Sequence, residues 1–250
     1  MKRFLLLLLT ALAACNGVEK DAAPTEPDSN SVLVIEKVTK HEVNNTSKFV
    51  VVTDIAPEIR VELRYYSNNN FMGRRMDGYQ QEAAIATREA VLALKKISDS
   101  LMLQGLALKI YDAYRPKRAV RDICRWSNDT QDTVNKQQYY PKVEKRDMFA
   151  CGYLSSRSNH CHGSTVDVTL VNAATNQELD MGTGFDLMDE RSHYSYPTLT
   201  EEQKENRKLL RQIMAWGGFS PIETEWWHFK LKNEPYGESF DFAVNRDSII

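Results

Sequence analysis

Ser158-Asn-His-Cys-His-Gly-Ser-Thr-Val-Asp-Val-Thr-Leu-Val171 divides into two halves of different character. Ser164 to Val171 alternates and is rich in β-branched residues, the pattern of a strand. Period two puts Asp167 on the face opposite Val166 and Val168. A carboxylate inside such a strand is costly unless a cation or several hydrogen bonds meet it. The first half supplies His160, so a nitrogen donor and an oxygen donor flank the turn at Gly163. Two donors leave a catalytic zinc incomplete. The third is sought in Glu225-Trp-Trp-His228, where a carboxylate precedes a histidine by three residues. In a regular strand Glu225 and His228 point to opposite faces, so a shared site requires a bend or a strand end between them. His160 and His162 form an alternative pair, because their spacing shares a face in extended chain.

Working outward, Leu106 to Tyr111 reads as a buried strand that runs into Asp112-Ala-Tyr-Arg-Pro116. Proline stops the pairing and opens a helix from Lys117 to about Ser127, which leaves Arg115 at a strand's exit. Thr87 to Gln104 has helical period, with Ala90, Leu92, Leu94, Ile97 and Leu101 as its apolar face, Thr87 as cap and Gly105 as stop. Thr200-Glu-Glu-Gln203 is a capping box for a helix reaching Trp216 and ending at Gly217-Gly218. Phe49 to Val52 opens the folded part, and Ile59 to Arg64 alternates like a half-buried strand. Glu225 to Leu231 reads as the last strand. Asn68 to Gly78 is dense in turn formers, with Tyr65 and Tyr79 on either side of it; packing alone would explain both tyrosines. Asn128 to Pro141 reads as polar loop, and Asp180 to Pro197 as a long ordered one. This order of elements predicts an α+β fold, a single domain with a central antiparallel sheet flanked by helices.

The composition is that of a globular chain, 42% apolar and 26% charged, and 32 basic against 34 acidic residues leave a formal charge of −2. That balance implies no general attraction to nucleic acid. Met1-Lys-Arg followed by an apolar run from Phe4 and by Leu12-Ala-Ala-Cys15 reads as an export signal over residues 1–14. Leu-Ala-Ala-Cys resembles the lipobox of bacterial lipoproteins, which implies a membrane partner through lipid on Cys15. The apolar run is shorter than the ~20 residues of a bilayer span. Residues 15–47 read as a flexible tether, with Val32 to Ile35 as a possible edge strand, and 48–250 as the folded domain.

A hydrolytic zinc needs three protein ligands, an open position and a base. His160, Asp167 and His228 would be the ligands and Glu225 the general base. Arg115 would stabilise an oxyanion.

Taken with their order, these motifs resemble the VanX-type zinc D-alanyl-D-alanine dipeptidases. The likeness extends to Leu63-Arg-Tyr65, Asn70-Phe-Met-Gly73, Asp77-Gly-Tyr79, Tyr114-Arg-Pro-Lys-Arg118, Met181-Gly182, Phe185-Asp186 and Asp189-Glu-Arg-Ser-His193, over roughly residues 54–242. The resemblance implies one zinc per chain on His160, Asp167 and His228, with Glu225 as base and Arg115 at the transition state. It also implies a small pocket for a D-alanyl-D-alanine substrate, lined by Ser158, Tyr65, Tyr79 and Asp186. Cys161, His162 and Thr165 depart from the family pattern around the ligands. Cys161 would face away from His160 in extended chain and so is not expected to be a ligand.

Export would place such an enzyme on the periplasmic side of a bacterial membrane, where it would salvage wall-derived dipeptide or trim wall fragments. With Cys15 acylated, three cysteines remain, and a Cys124–Cys151 disulfide would leave Cys161 free. Two other classes stay open: a D,D-carboxypeptidase or endopeptidase of longer wall peptides, and a non-catalytic lipoprotein that binds wall fragments.

Overall fold

The computed structural model describes residues 46–249. The expected leader, Cys15, the Val32 to Ile35 run and all but the end of the tether lie outside the described residues. Strand β1 (Phe49–Val51) pairs antiparallel with β3 (Ile85–Thr87) in a two-stranded ribbon; β2 (Arg60–Val61), which comes between them in sequence, belongs to the main sheet. Helix α1 (Arg88–Met102) and strand β4 (Leu106–Asp112) follow, then helix α2 (Lys117–Asn128), strand β5 (Thr165–Asn172), helix α3 (Glu201–Trp216) and strands β6 (Phe219–Pro221) and β7 (His228–Leu231). The main sheet has the order β2-β4-β5-β7-β6. All its pairings are antiparallel except the short edge pair of β2 with β4, which runs parallel.

Local signals explain the well-formed elements. Thr87 caps α1 by accepting from the Ala90 amide, and Thr200 with Gln203 closes both arms of a capping box on α3. Other expectations are corrected. The 59–64 strand shrinks to two residues because Leu63 turns the chain into a 3-10 helix at Arg64–Tyr66. Leu92 is 53% exposed, while Val91 takes its place in the core. The buried stripe of α1 follows 90, 91, 94, 97 and 101, and Leu92 lies off it. The polar stretch after Asn128 contains a short helix, Lys136–Tyr139, tied to the turn-rich loop by the Tyr139 hydroxyl donating to Asn69. Glu225 lies before β7, so the strand end that the two-residue motif required is present.

Register is what builds the site. Asp112 on β4 stands opposite Asp167 on β5, and Asp167 stands opposite His228 on β7. Three functional side chains from distant parts of the chain thus form one row at one end of the sheet. A bulge between Ile110 and Asp112 shifts the β4 register just before this row, and bulges commonly re-aim a side chain in this way. The turn that carries His160, a 3-10 helix at Asn159–His162, is stitched from three sides. Arg115 donates its amide to the His160 carbonyl, Phe240 to Cys161 and Thr87 to Gly163. Little backbone freedom remains there.

Gly163 ends that turn with φ +89°, and a β-carbon on it would lie 2.2 Å from the Phe49 ring. Phe49 cannot retreat, since it sits among Tyr114, Phe240 and Phe242 at centroid distances of 5.2, 4.9 and 4.8 Å. Gly163→Ala therefore combines left-handed backbone with overpacking and is expected to cost about 2–4 kcal/mol. Urea unfolding measures it; a midpoint equal to the wild type would show that the turn relaxes freely.

Candidate metal centre and pocket

His160, Asp167 and His228 present ligand atoms that all lie within 4.8 Å of one another. Asp167 and His160 are buried and His228 nearly so. His228 Nδ1 is 3.0 Å from Asp167 Oδ1 and 3.3 Å from His160 Nε2, and His160 Nε2 is 3.4 Å from Asp167 Oδ2. The carbonyl of Ala113, which only accepts, lies 2.8 Å from His160 Nδ1. The proton of His160 is thereby fixed on Nδ1, and the Nε2 lone pair faces the other two donors. Two imidazoles and a carboxylate converging in this way fit a divalent ion that accepts nitrogen and oxygen. Burial alone would raise the Asp167 carboxyl, but the two histidines outweigh it and hold it well below the usual carboxylate range. Burial likewise opposes a charged His228, yet the bond to Asp167 raises its pKa. The site already favours positive charge at its centre.

Glu225 Oε2 lies 3.6 Å from His228 Nδ1, and its side chain is 23% exposed on the pocket wall. Burial lifts its carboxyl to about 7, with His228 and Arg115 pulling down and Asp167 pushing up. A base with a pKa near neutrality suits proton transfer in both directions. Arg115 donates from Nε to Asp112 at 2.8 Å and reaches Tyr65 and Asp167 at 3.4 Å each. Its guanidinium also lies over the Tyr65 ring, 4.7 Å from the centroid. Tyr65 donates to Asp186 at 3.0 Å. Asp186 has φ +62°, a left-handed conformation that Asp tolerates better than most residues. Its carboxyl is raised well above the ordinary range by burial and by the nearby Asp167 charge.

These groups line one pocket of about 250 Å³. His160, Asp167, His228, Glu225, Arg115, Tyr65, Asp186 and Ser158 all line it. Tyr79 does not line it: its hydroxyl donates to Asp112 at 2.6 Å, behind Arg115. The tyrosine therefore supports the pocket from beneath. His162 is not the second nitrogen ligand: it stands outside the donor cluster, on the wall of a neighbouring groove, with its Nδ1 at 2.8 Å from the Glu238 carbonyl. Cys161 is buried on a neighbouring groove, outside the donor cluster. The expected Cys124–Cys151 disulfide is not formed: all three described cysteines are free thiols. Cys124 lines the same groove as Cys161, whereas Cys151 is exposed and absent from its wall.

The sequence reading missed Asp112. It is fully buried, pairs with Arg115, accepts from Tyr79 and lies 3.5 Å from His160 Nδ1. A signal was present: a part-buried arginine at a strand's exit needs a carboxylate, and Asp112 is three residues before it.

A family model for D-Ala-D-Ala dipeptidases matches residues 45–245. The D-alanyl-D-alanine dipeptidase of Enterococcus faecalis is 37% identical over 198 residues, spanning 79% of this chain and 98% of that protein. That of Streptomyces coelicolor is 37% identical over 200 residues, spanning 80% and 99%. The Escherichia coli protein is 36% identical over 206 residues, spanning 82% and 94%.

Proposed function

The chain belongs to the peptidase M15 family of D-Ala-D-Ala dipeptidases, and on that premise we propose that it hydrolyses D-alanyl-D-alanine to D-alanine at one zinc ion held by His160, Asp167 and His228. The observation that carries this reading is the convergence of those three donors beside Glu225 and Arg115 in one small pocket. About 250 Å³ is less than the ~300–1,000 Å³ of pockets for drug-sized ligands. The size suits a dipeptide better than a pentapeptide.

Zinc bound there would act as a Lewis acid on the peptide carbonyl and make water a nucleophile at neutral pH. Glu225 takes the proton from the attacking water and returns it to the departing amine. Arg115 is held by Asp112 on one side and leans on the Tyr65 ring on the other, so its free N–H groups are aimed before charge develops on the carbonyl oxygen. At the ends of the dipeptide, Ser158 donates to the carboxylate while Asp186, tied by Tyr65, meets the ammonium group, whose positive charge would favour the ionised carboxyl that burial and Asp167 disfavour. The test is metal content with dipeptide turnover before and after chelation. One zinc per chain and activity lost on chelation and restored by zinc are expected; full turnover in metal-free protein would refute the reading.

The Leu12-Ala-Ala-Cys15 motif supports a lipid-anchored enzyme on the periplasmic side of a bacterial membrane. There it meets wall-derived dipeptide rather than the precursor pool. Intact cells carrying the gene are then expected to hydrolyse added D-alanyl-D-alanine faster than cells without it. Equal rates would rule out external salvage.

A further inference from the structure

A second cavity, of about 580 Å³, lies between helix α2 and the 156–162 segment. It is more than twice the volume of the dipeptide pocket and shares with it the wall Arg157-Ser158-Asn159. One side is a single helical face, with Lys117, Arg121 and Cys124 at positions i, i+4 and i+7. Arg157 and His162 come from the opposite side. No Asp or Glu lines the cavity.

Two of the charges here are not spent elsewhere. Arg118, Arg121 and Arg125 of α2 all pair with carboxylates, Asp241 taking the first two and Asp77 with Asp122 the third. Lys117 and Arg157 pair with no carboxylate among the described residues. Two unneutralised cations lining one groove, in a chain whose formal charge is −2, are a local reversal of sign. Like charges brought together repel unless an anion lies between them. Ser156, Ser158 and Asn159 add neutral side chains able to donate hydrogen bonds to oxygen.

We propose that this groove is a second ligand site, which takes an oxyanion-bearing ligand, the carboxylates of an acidic peptide or a phosphate, alongside the dipeptide pocket. Lys117 and Arg157 supply the charge, with Arg121 partly neutralised by Asp241. The site goes beyond the dipeptidase reading: it uses none of the metal ligands and takes a ligand of net negative charge, which the zwitterionic dipeptide is not.

Cys124 provides the measurement, because it is partly exposed within the groove, while exposed Cys151 lies outside it and serves as a reference. The full chain is treated with anionic and with cationic methanethiosulfonate reagents, and peptide mapping gives the rate at each cysteine. The anionic reagent is expected to gain about tenfold at Cys124 relative to its ratio at Cys151. Lys117→Glu should abolish that gain, and wild-type protein alone suffices if the variant does not fold. At constant ionic strength, inorganic phosphate or a D-glutamyl-D-glutamate peptide should slow labelling at Cys124 and leave Cys151 untouched. Protection by the peptide only assigns peptide carboxylates, and protection by phosphate only assigns a phosphate ligand. Equal reagent ratios at the two cysteines, with protection by neither anion, would overturn the proposal. Labelling does not depend on turnover, so a chain that labels as expected yet leaves D-alanyl-D-alanine intact would refute the dipeptidase reading alone.

Discussion

Glu225→Gln is expected to lower kcat for D-alanyl-D-alanine by about 10²–10⁴ while leaving zinc content at the wild-type level, the range set by loss of a positioned general base. The two readouts separate because Glu225 stands beside the donor cluster without being part of it: it is 3.6 Å from His228, and the three mutually close donors are His160, Asp167 and His228. The amide preserves size and removes the proton acceptor. A pH profile gives a further readout. Burial lifts the Glu225 carboxyl to about 7, and a bound dication would favour the carboxylate and draw that value down. The base must be ionised to act, so kcat/KM should rise with pH through a limb below 7 that the glutamine variant lacks. Undiminished turnover would remove Glu225 from the role of base; loss of zinc along with activity would make it a ligand or a support for one.

Much of this site was legible from sequence because its parts carry local signals. His160 and Asp167 flank a glycine turn, the strand around Asp167 announces itself by alternation, and the cap and stop residues of α1 and α3 lie where local chemistry puts them. The pairing of β4, β5 and β7 is different in kind. No local pattern states that Asp112, Asp167 and His228 lie side by side, since that depends on a bulge and on contacts across more than 50 positions. Tyr79 shows the same limit. The family motif implies a pocket-lining tyrosine, but the side chain lies one layer deeper and meets Asp112. Cys124 and Cys151 could be paired on paper by counting thiols, whereas α2 turns Cys124 toward the groove that also holds Cys161. Periodicity reports which face of an element is buried; it does not report what that face meets.

Asp112→Asn is the substitution that most directly tests this deeper layer. Asp112 makes no contact with the pocket itself, yet it holds Arg115 at 2.8 Å, receives the Tyr79 hydroxyl at 2.6 Å and lies 3.5 Å from His160 Nδ1. Removing its charge leaves a part-buried guanidinium short of a partner and free to swing toward Asp167. Arg115 then no longer waits in place for charge on the carbonyl oxygen, and a donor of that kind is worth roughly 10²–10³ in kcat. Support for His160 also weakens, which typically costs ~10–100-fold in metal affinity. The expected result is a fall of about 10²-fold in kcat measured at saturating zinc, with KM changed much less, because the lost interaction belongs to the transition state. Tyr79→Phe, which removes only a hydroxyl, should reproduce a small part of this. A double-mutant cycle decides whether Asp112 acts through Arg115: adding Arg115→Ala to Asp112→Asn should lower kcat little further. If the two losses instead multiply, Asp112 works by a separate route, and the view of it as the residue that positions Arg115 fails.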